Sequence, residues 1–276
     1  MAVRTLALSL AVGLAMMAAI PTAGQDFRVD TEVFVLDDKG NPSETPVAET
    51  LSIFANGIVY DFQLSEPKEI TIFDPQRGRF NILDESRQLK ASVGTQDLLD
   101  YVLSLDSHAS ESKDPLFAFS ARPKFEQSVE KSQANRQSQT RITLTADPLQ
   151  YDAIGLPPQL PESVAAYRNF ADWFARLNAA RPGNLPPGPR LALNQALAEN
   201  GLLPREITRT IAISGTLGRK KQLVVTSRHL VNWKLSGEDR KRIDRAGTGL
   251  ATFQNVSFDE YRSNVAAPAA PKQAQR

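Results

Sequence analysis

The stretch Leu51–Leu64, LSIFANGIVYDFQL, decides how this chain folds. Asn56-Gly57 stands between two apolar segments and supplies the two positive-φ residues of a tight β-hairpin turn. After the turn, Ile58, Tyr60, Phe62 and Leu64 alternate with Val59, Asp61 and Gln63. That alternation puts the first set on one face of a strand and the second on the other. A sheet face with so much aromatic surface needs a cover.

The same grammar runs outward in both directions. Upstream, Val29, Thr31, Val33 and Val35 share one face of a first strand, and Asp37 to Pro42 make a loop. Downstream, Glu69–Asp74 pairs with Arg79–Leu83 through Pro75, Gln76, Arg77 and Gly78, and a sixth strand covers Arg87–Val93. Turn signals recurring at about 10-residue intervals are the mark of an antiparallel meander. Thr95 is the expected N-cap of a helix whose Leu98, Leu99, Val102, Leu103 and Leu105 are apolar. Two strands, Lys124–Lys131 and Arg141–Ala146, follow, joined by a Gln- and Ser-rich stretch at 132–139 that reads as a mobile loop.

The middle of the chain is helical and bounded by proline. Tyr167, Phe170, Ala171, Phe174 and Leu177 recur at helical spacing over 161–180, and Pro182-Gly183 ends that helix. Pro186, Pro187, Gly188 and Pro189 form a stiff connector, after which a shorter helix from Arg190 to Asn200 closes at Gly201. Strands at Arg205–Ser214 and Gln222–Leu235 put Arg219, Lys220 and Lys221 at a hairpin tip, either a solvated tip or a contact for an anionic headgroup or wall polymer. Ser236 with Asp239 resembles a capping box opening a basic helix through Arg245. The expected fold is therefore α+β: a curved, half-barrel-like antiparallel β-sheet of nine or ten strands with helices covering one face.

Met1–Gly24 has Arg4, then a 15-residue apolar run from Leu6 to Ile20, then small residues, which is the pattern of a secretory signal peptide. Residues 25–263 are expected to form a single α+β domain, and 264–276 a disordered tail rich in Ala, Pro and Gln. The protein is accordingly read as exported, periplasmic or extracellular, with no transmembrane segment in the mature chain. It has no Cys, so its core must hold it without a disulfide. A net charge of +1 over 276 residues argues against a nucleic-acid footprint.

Chemistry is narrowed by what the chain lacks. Without Cys and with only His108 and His229, thiol nucleophiles, zinc–thiolate clusters and three-His metal sites are excluded. His108 reads as a solvated residue at a helix end. His229 shares a strand face with Leu223, Val225, Ser227, Val231, Trp233 and Leu235, as a hydrogen-bonded core histidine or as the wall of a ligand cavity. No G-x-S-x-G elbow and no nucleotide-binding glycine motif is present. Asp74 and Asp84 each end a strand, where Asp is a turn former and not half of a glycosidase pair. No catalytic set, metal site or cofactor is assigned.

The Asn56-Gly57-Ile58-Val59-Tyr60 turn, with Glu69 to Pro75 and Phe80 to Asp84, resembles the periplasmic lipoprotein-carrier family in strand order and turn placement over residues 27–93. The resemblance implies an unclosed half-barrel with helices over its concave side and an apolar cavity for acyl chains. Two features depart from it: those carriers usually begin with a helix, and the proline-bounded helices of 161–201 have no counterpart there. The expected function is a non-enzymatic exported protein that binds or carries a lipid, a lipidated ligand or another apolar ligand. Tyr60, Phe62, His229 and Trp233 are nominated as cavity walls because each is aromatic and shares a strand face with apolar neighbours. The alternative is a structural or interaction module of the cell envelope, partnered by an envelope protein and holding no small molecule.

Overall fold

Asn56 and Gly57 take φ of 53° and 76°, so the turn at the heart of the meander has the backbone its residues require. The computed structural model describes residues 26–134, 137–214 and 220–264. Around the turn are β1 (Phe27–Leu36), β2 (Ala48–Ala55), β3 (Ile58–Gln63), β4 (Glu69–Asp74), β5 (Arg79–Asp84) and β6 (Leu89–Gly94). Then come α1 (Thr95–Ser110), α2 (Pro115–Ala121), β7 (Glu126–Ala134), β8 (Gln137–Thr145), β9 (Leu149–Leu156), α3 (Glu162–Ala179) and α4 (Gly188–Glu199). The chain closes with β10 (Leu203–Ser214), β11 (Lys220–Asn232), α5 (Gly237–Thr252), β12 (Gln254–Asn255) and α6 (Phe258–Asn264).

Among the described residues the twelve strands form one open sheet, ordered β12-β6-β5-β4-β3-β2-β1-β11-β10-β9-β8-β7. The pairs are antiparallel except β12 with β6, a two-residue parallel contact. The first strand lies in the middle, flanked by β2 and β11 in the registers Val29↔Ser52 and Thr31↔His229. The fold class is therefore α+β, with more strands than expected. The stretch read as a mobile loop at 132–139 instead continues both strands of a hairpin, Lys131 opposite Thr140 and Ser132 opposite Gln139. Polar residues are tolerated there because β7 is the sheet's edge, exposed along 126–133. β9, α2 and α6 were not foreseen either. The expected leader and, from residue 265, the expected tail lie outside the described residues.

Cross-strand register sorts the side chains into two faces. On the inner face Val59, Phe73, Phe80 and Val93 stand in one row and Ser52, Asp61, Thr71, Ile82 and Ala91 in the next. There α3 contributes Phe170 and Leu177, α1 Leu98 and α6 Tyr261 to one core cluster. α4 contributes Leu193, Ala196 and Leu197 to a second, with Ile142, Leu144, Tyr151 and Ile207. The helices were expected to share one face. α5 departs from this: its Ile243, Ala246 and Leu250 pack with Leu51, Ile53, Ile70 and Ile72 on the outer face. That outer row is as apolar as the inner one and cannot be left in water. The helix is fastened by its N-terminus: Ser236 Oγ accepts from Asp239 N at 3.1 Å, and Asp239 accepts from Ser236 N and Arg28 Nη1, each at 2.7 Å. Burial alone would raise the Asp239 carboxyl, but the Ser236 and Arg28 bonds hold it below the usual carboxylate range.

Candidate ligand cavity

The inner face is not filled throughout. A cavity of about 550 Å³ lies between β1–β3 and β9–β11 on one side and α3, residues 183–187 and the start of α4 on the other. The sheet side is rich in short or β-branched residues, among them Thr31, Val33, Thr50, Ser52, Val225 and Ser227, with Tyr151, Arg209 and His229 between them. Tyr167, Phe170 and Phe174 of α3 reach in from the helical side. The connector roofs it with Pro186, Pro187 and Pro189, whose rings cannot fold down to fill the space. Gly188 lets α4 start close against α2: a Cβ there would stand 2.5 Å from the Ser120 carbonyl oxygen. Arg190, two residues on, is thereby delivered to the cavity.

Three ionic side chains line the space: Asp61, Arg190 and Arg209. Asp61 points inward from β3, accepts a 2.6 Å bond from Ser52 Oγ and is 6% exposed. Burial dominates its ionisation, the Ser52 bond and distant Arg181 opposing and Glu69 adding, and its carboxyl is pushed up to about 6. His229 is held by both ring nitrogens, Nδ1 3.0 Å from Thr31 Oγ1 and Nε2 3.0 Å from Ser227 Oγ. Burial and the nearby Arg190 guanidinium pull its imidazole down to about 3, so it is neutral at ordinary pH. Tyr167 is raised above its ordinary value by burial; Arg190 opposes this and Asp61 adds to it, which places that phenol near both groups. Arg190 donates through Nε to Asn194 Oδ1 at 3.0 Å, and Asn194 in turn donates to Asp172 at 2.8 Å.

The four nominated walls are divided by this geometry. His229 lines the cavity. Trp233 follows the end of β11 and packs against Phe27 (ring centroids 5.6 Å apart) in the core cluster and not at the cavity. Tyr60 and Phe62 belong to the outer face with α5, so their nomination as walls of this space is corrected. The cause is the one-residue alternation of β3, which turns Asp61 inward as it turns its aromatic neighbours outward. Asp61, Arg190 and Arg209 were missed. A lone charge in an apolar row, Asp61 beside Val59 and Arg209 between Ile207 and Ile211, was the signal available in the sequence.

The other singled-out residues behave as turn and surface groups. Asp74 accepts from Arg77 N at 3.0 Å and Asp84 from Arg87 N at 2.8 Å, both closing turns. His108 is exposed in the last turn of α1, with Nδ1 2.7 Å from Ser104 O. Of the basic tip, Arg219 lies outside the described residues. Among the described residues no group of three or more His, Asp or Glu is placed to hold a metal ion, and no helix is long and apolar enough to cross a membrane.

No family model and no curated protein matches this chain. Among solved structures, PNGF-II in its P21 and C2 crystal forms aligns with a TM-score of 0.39 in each case, at 8% and 9% identity. Each alignment covers 87% of this chain and 32% of that one, so this chain spans about a third of the length of PNGF-II.

Proposed function

We propose that this protein is an exported, non-enzymatic binding protein that holds a lipid-like or other amphipathic small molecule inside its sheet-and-helix layer. The observation that carries the reading is the cavity: about 550 Å³ between the inner face and its helices, within the range of small-molecule sites. Its wall is mixed, with apolar Val29, Val33, Phe174 and Ile207 beside a few placed polar groups, as ligand sites are. Binding is favoured over catalysis because burial and Arg190 pull the His229 imidazole, held between Thr31 and Ser227, down to about 3, too weak a base to take a proton from the Ser227 hydroxyl at ordinary pH. An open sheet bent around such a space is also what the carrier-like half-barrel comparison calls for.

The test is organic extraction of protein purified from its native compartment, followed by mass spectrometry, beside an Ala175→Trp variant that fills the cavity from α3. One amphipathic compound in the wild-type extract, absent from a folded variant, is the expected result. A clean wild-type extract, together with no binding of any amphiphile in titration, overturns the reading.

A further inference from the structure

The charges of the cavity do not balance. Two guanidinium groups face one carboxylate, and His229 adds no charge, which leaves one positive charge in surplus. Asp61 stands in the register row of Ser52, Val29 and Val231, to one side of His229. Arg209 stands elsewhere. It is opposite Val225 of β11 and Tyr151 of β9, and Val225 is four residues along the strand from His229, about 13 Å at the usual strand rise.

Arg209 is half-buried in a row shared with Ile207 and Ile211, yet it has no hydrogen bond, ion pair or ring contact among the described residues. The other half-buried arginines of the inner helices are occupied: Arg181 by Glu69, Arg176 by the Asp172 carbonyl at 2.9 Å and by the Trp173 ring, and Arg262 by the Ala180 carbonyl. A guanidinium drawn partly out of water without an acceptor is costly, and the partner that best satisfies its planar fork is a carboxylate or a phosphate. Apolar Val33, Ile207 and Val225 lie beside it on the sheet wall.

Resting on the reading that the cavity takes a small molecule, we propose that this molecule is an amphipathic anion, its carboxylate or phosphate head held by Arg209 and its apolar body laid along Val33, Ile207 and Val225. The head supplies the acceptor that Arg209 lacks, and the body covers wall that the helices leave open. Neither part alone satisfies the site.

Calorimetric titration at pH 7.5 with dodecanoate, dodecyl phosphate, dodecanol and inorganic phosphate tests this on the full chain. The expected result is at least tenfold tighter binding of the two anionic amphiphiles than of dodecanol, with no measurable binding of inorganic phosphate. In Arg209→Gln, anion affinity falls to that of dodecanol while dodecanol itself is unchanged; Arg209→Lys keeps most of the preference, and thermal melts confirm that both variants fold. Equal wild-type affinity for dodecanoate and dodecanol, or a preference that survives Arg209→Gln, overturns the anion and leaves the cavity reading standing. Inorganic phosphate binding as tightly as dodecyl phosphate reduces the site to a simple anion pocket and also overturns it. Failure of all four compounds to bind overturns both proposals together.

Discussion

Where β3 to β6 and the Phe27–Phe54 pair meet the helices the inner face is filled and aromatic, whereas over the rest of β1 and over β11 and β10 the same face is hollow and carries charge. At the filled end the rings do the packing: Phe27 stacks on Phe54 at 4.2 Å, Phe73 on Phe80 at 4.5 Å, and Phe170 meets Phe54 edge-on at 5.7 Å. At the hollow end the strands offer hydroxyls and valines under a proline-bound connector. The space is therefore built by residue choice: hydroxyls and valines over much of the floor, a stiff segment above, and aromatic rings that enter from α3 alone on the helical side. Strand pairing continues through both regions, with one register shift in β10 between Pro204 and Glu206, so this sheet spans a void without losing its strand ladder.

The largest expected contrast comes from truncating one ring in each region. Phe80 is fully buried in the filled end, so Phe80→Ala removes its transfer energy and leaves a cavity, a loss of about 3–5 kcal/mol. Phe174 already borders open space, so Phe174→Ala enlarges an existing void and costs less, under about 2 kcal/mol. Urea unfolding of both variants measures the difference. Equal losses would mean that the hollow end is packed in solution.

Asp61 sharpens the contrast because its buried surroundings favour the uncharged form of its carboxyl. Its folded value of about 6 lies above the ordinary 3.8, so the unfolded chain ionises first as pH rises. Its contribution to stability is fully present below pH 3.8 and is lost as pH passes through 6, a change on the order of 3 kcal/mol. His229 works in the opposite sense: its value lies below the ordinary 6.5, so its contribution is present above 6.5 and lost as pH falls toward 3. Asp61→Asn keeps an acceptor for Ser52 and removes only the charge. Subtracting the variant's melting curve from that of the wild type cancels His229; the expected difference is near zero at pH 3.5 and favours the variant at pH 7.5. A wild type that is the more stable of the two at pH 7.5 would place a cation against Asp61 that the described residues do not show.

Much of this architecture was legible because local rules and tertiary packing agree. Asn56-Gly57, the Ser236–Asp239 cap and the aromatic stripe of α3 each obey a short-range rule that the fold keeps. The 132–139 stretch was misread because composition reports polarity, and an exposed edge strand is polar for reasons of its own. The site was less legible. Alternation correctly put Tyr60 and Phe62 on a different face from Asp61, but nothing local says which face will enclose a space, and aromatic content pointed to the wrong one. That information resides in the pairing of β1 with β11, residues about 200 apart, which no periodic signal records.

A carboxylate at the filled end behaves differently from Asp61. Glu69, 8% exposed, accepts from the Arg181 guanidinium and from Tyr261 Oη at 3.0 Å, tying β4 to the end of α3 and to α6. Burial and the Glu69 carboxylate push the Tyr261 phenol above its ordinary range, so it stays a donor. Glu69→Gln strands the partly buried guanidinium and lowers stability by about 2 kcal/mol at pH 7.5, opposite in sign to Asp61→Asn. Two buried carboxylates on adjacent strands that respond oppositely to loss of charge would separate paired from unpaired ends in one thermal-melt experiment. A Glu69→Gln variant as stable as the wild type would remove the ion pair from the account of how α3 and α6 are anchored.

The smallest effect belongs to Thr50, whose hydroxyl borders the cavity without a side-chain hydrogen-bond partner among the described residues. Thr50→Val keeps the shape and orphans no protein group, so stability should move by less than about 0.5 kcal/mol. Ser52 stands two residues along the same strand face and donates the one side-chain bond that Asp61 receives among the described residues. Ser52→Ala should therefore cost roughly 1–3 kcal/mol at pH 7.5, and less, about 0.5–1 kcal/mol, in an Asp61→Asn background, where the bond lost is a neutral one. The double-mutant cycle is the decisive form of the measurement. Coupling between Ser52 and Asp61 with none between Thr50 and Asp61 means that the polar wall divides into a residue that holds a buried charge and one left facing the space, while equal coupling would mean that the whole wall acts as one hydrogen-bonded surface and the cavity floor is less open than its shape suggests.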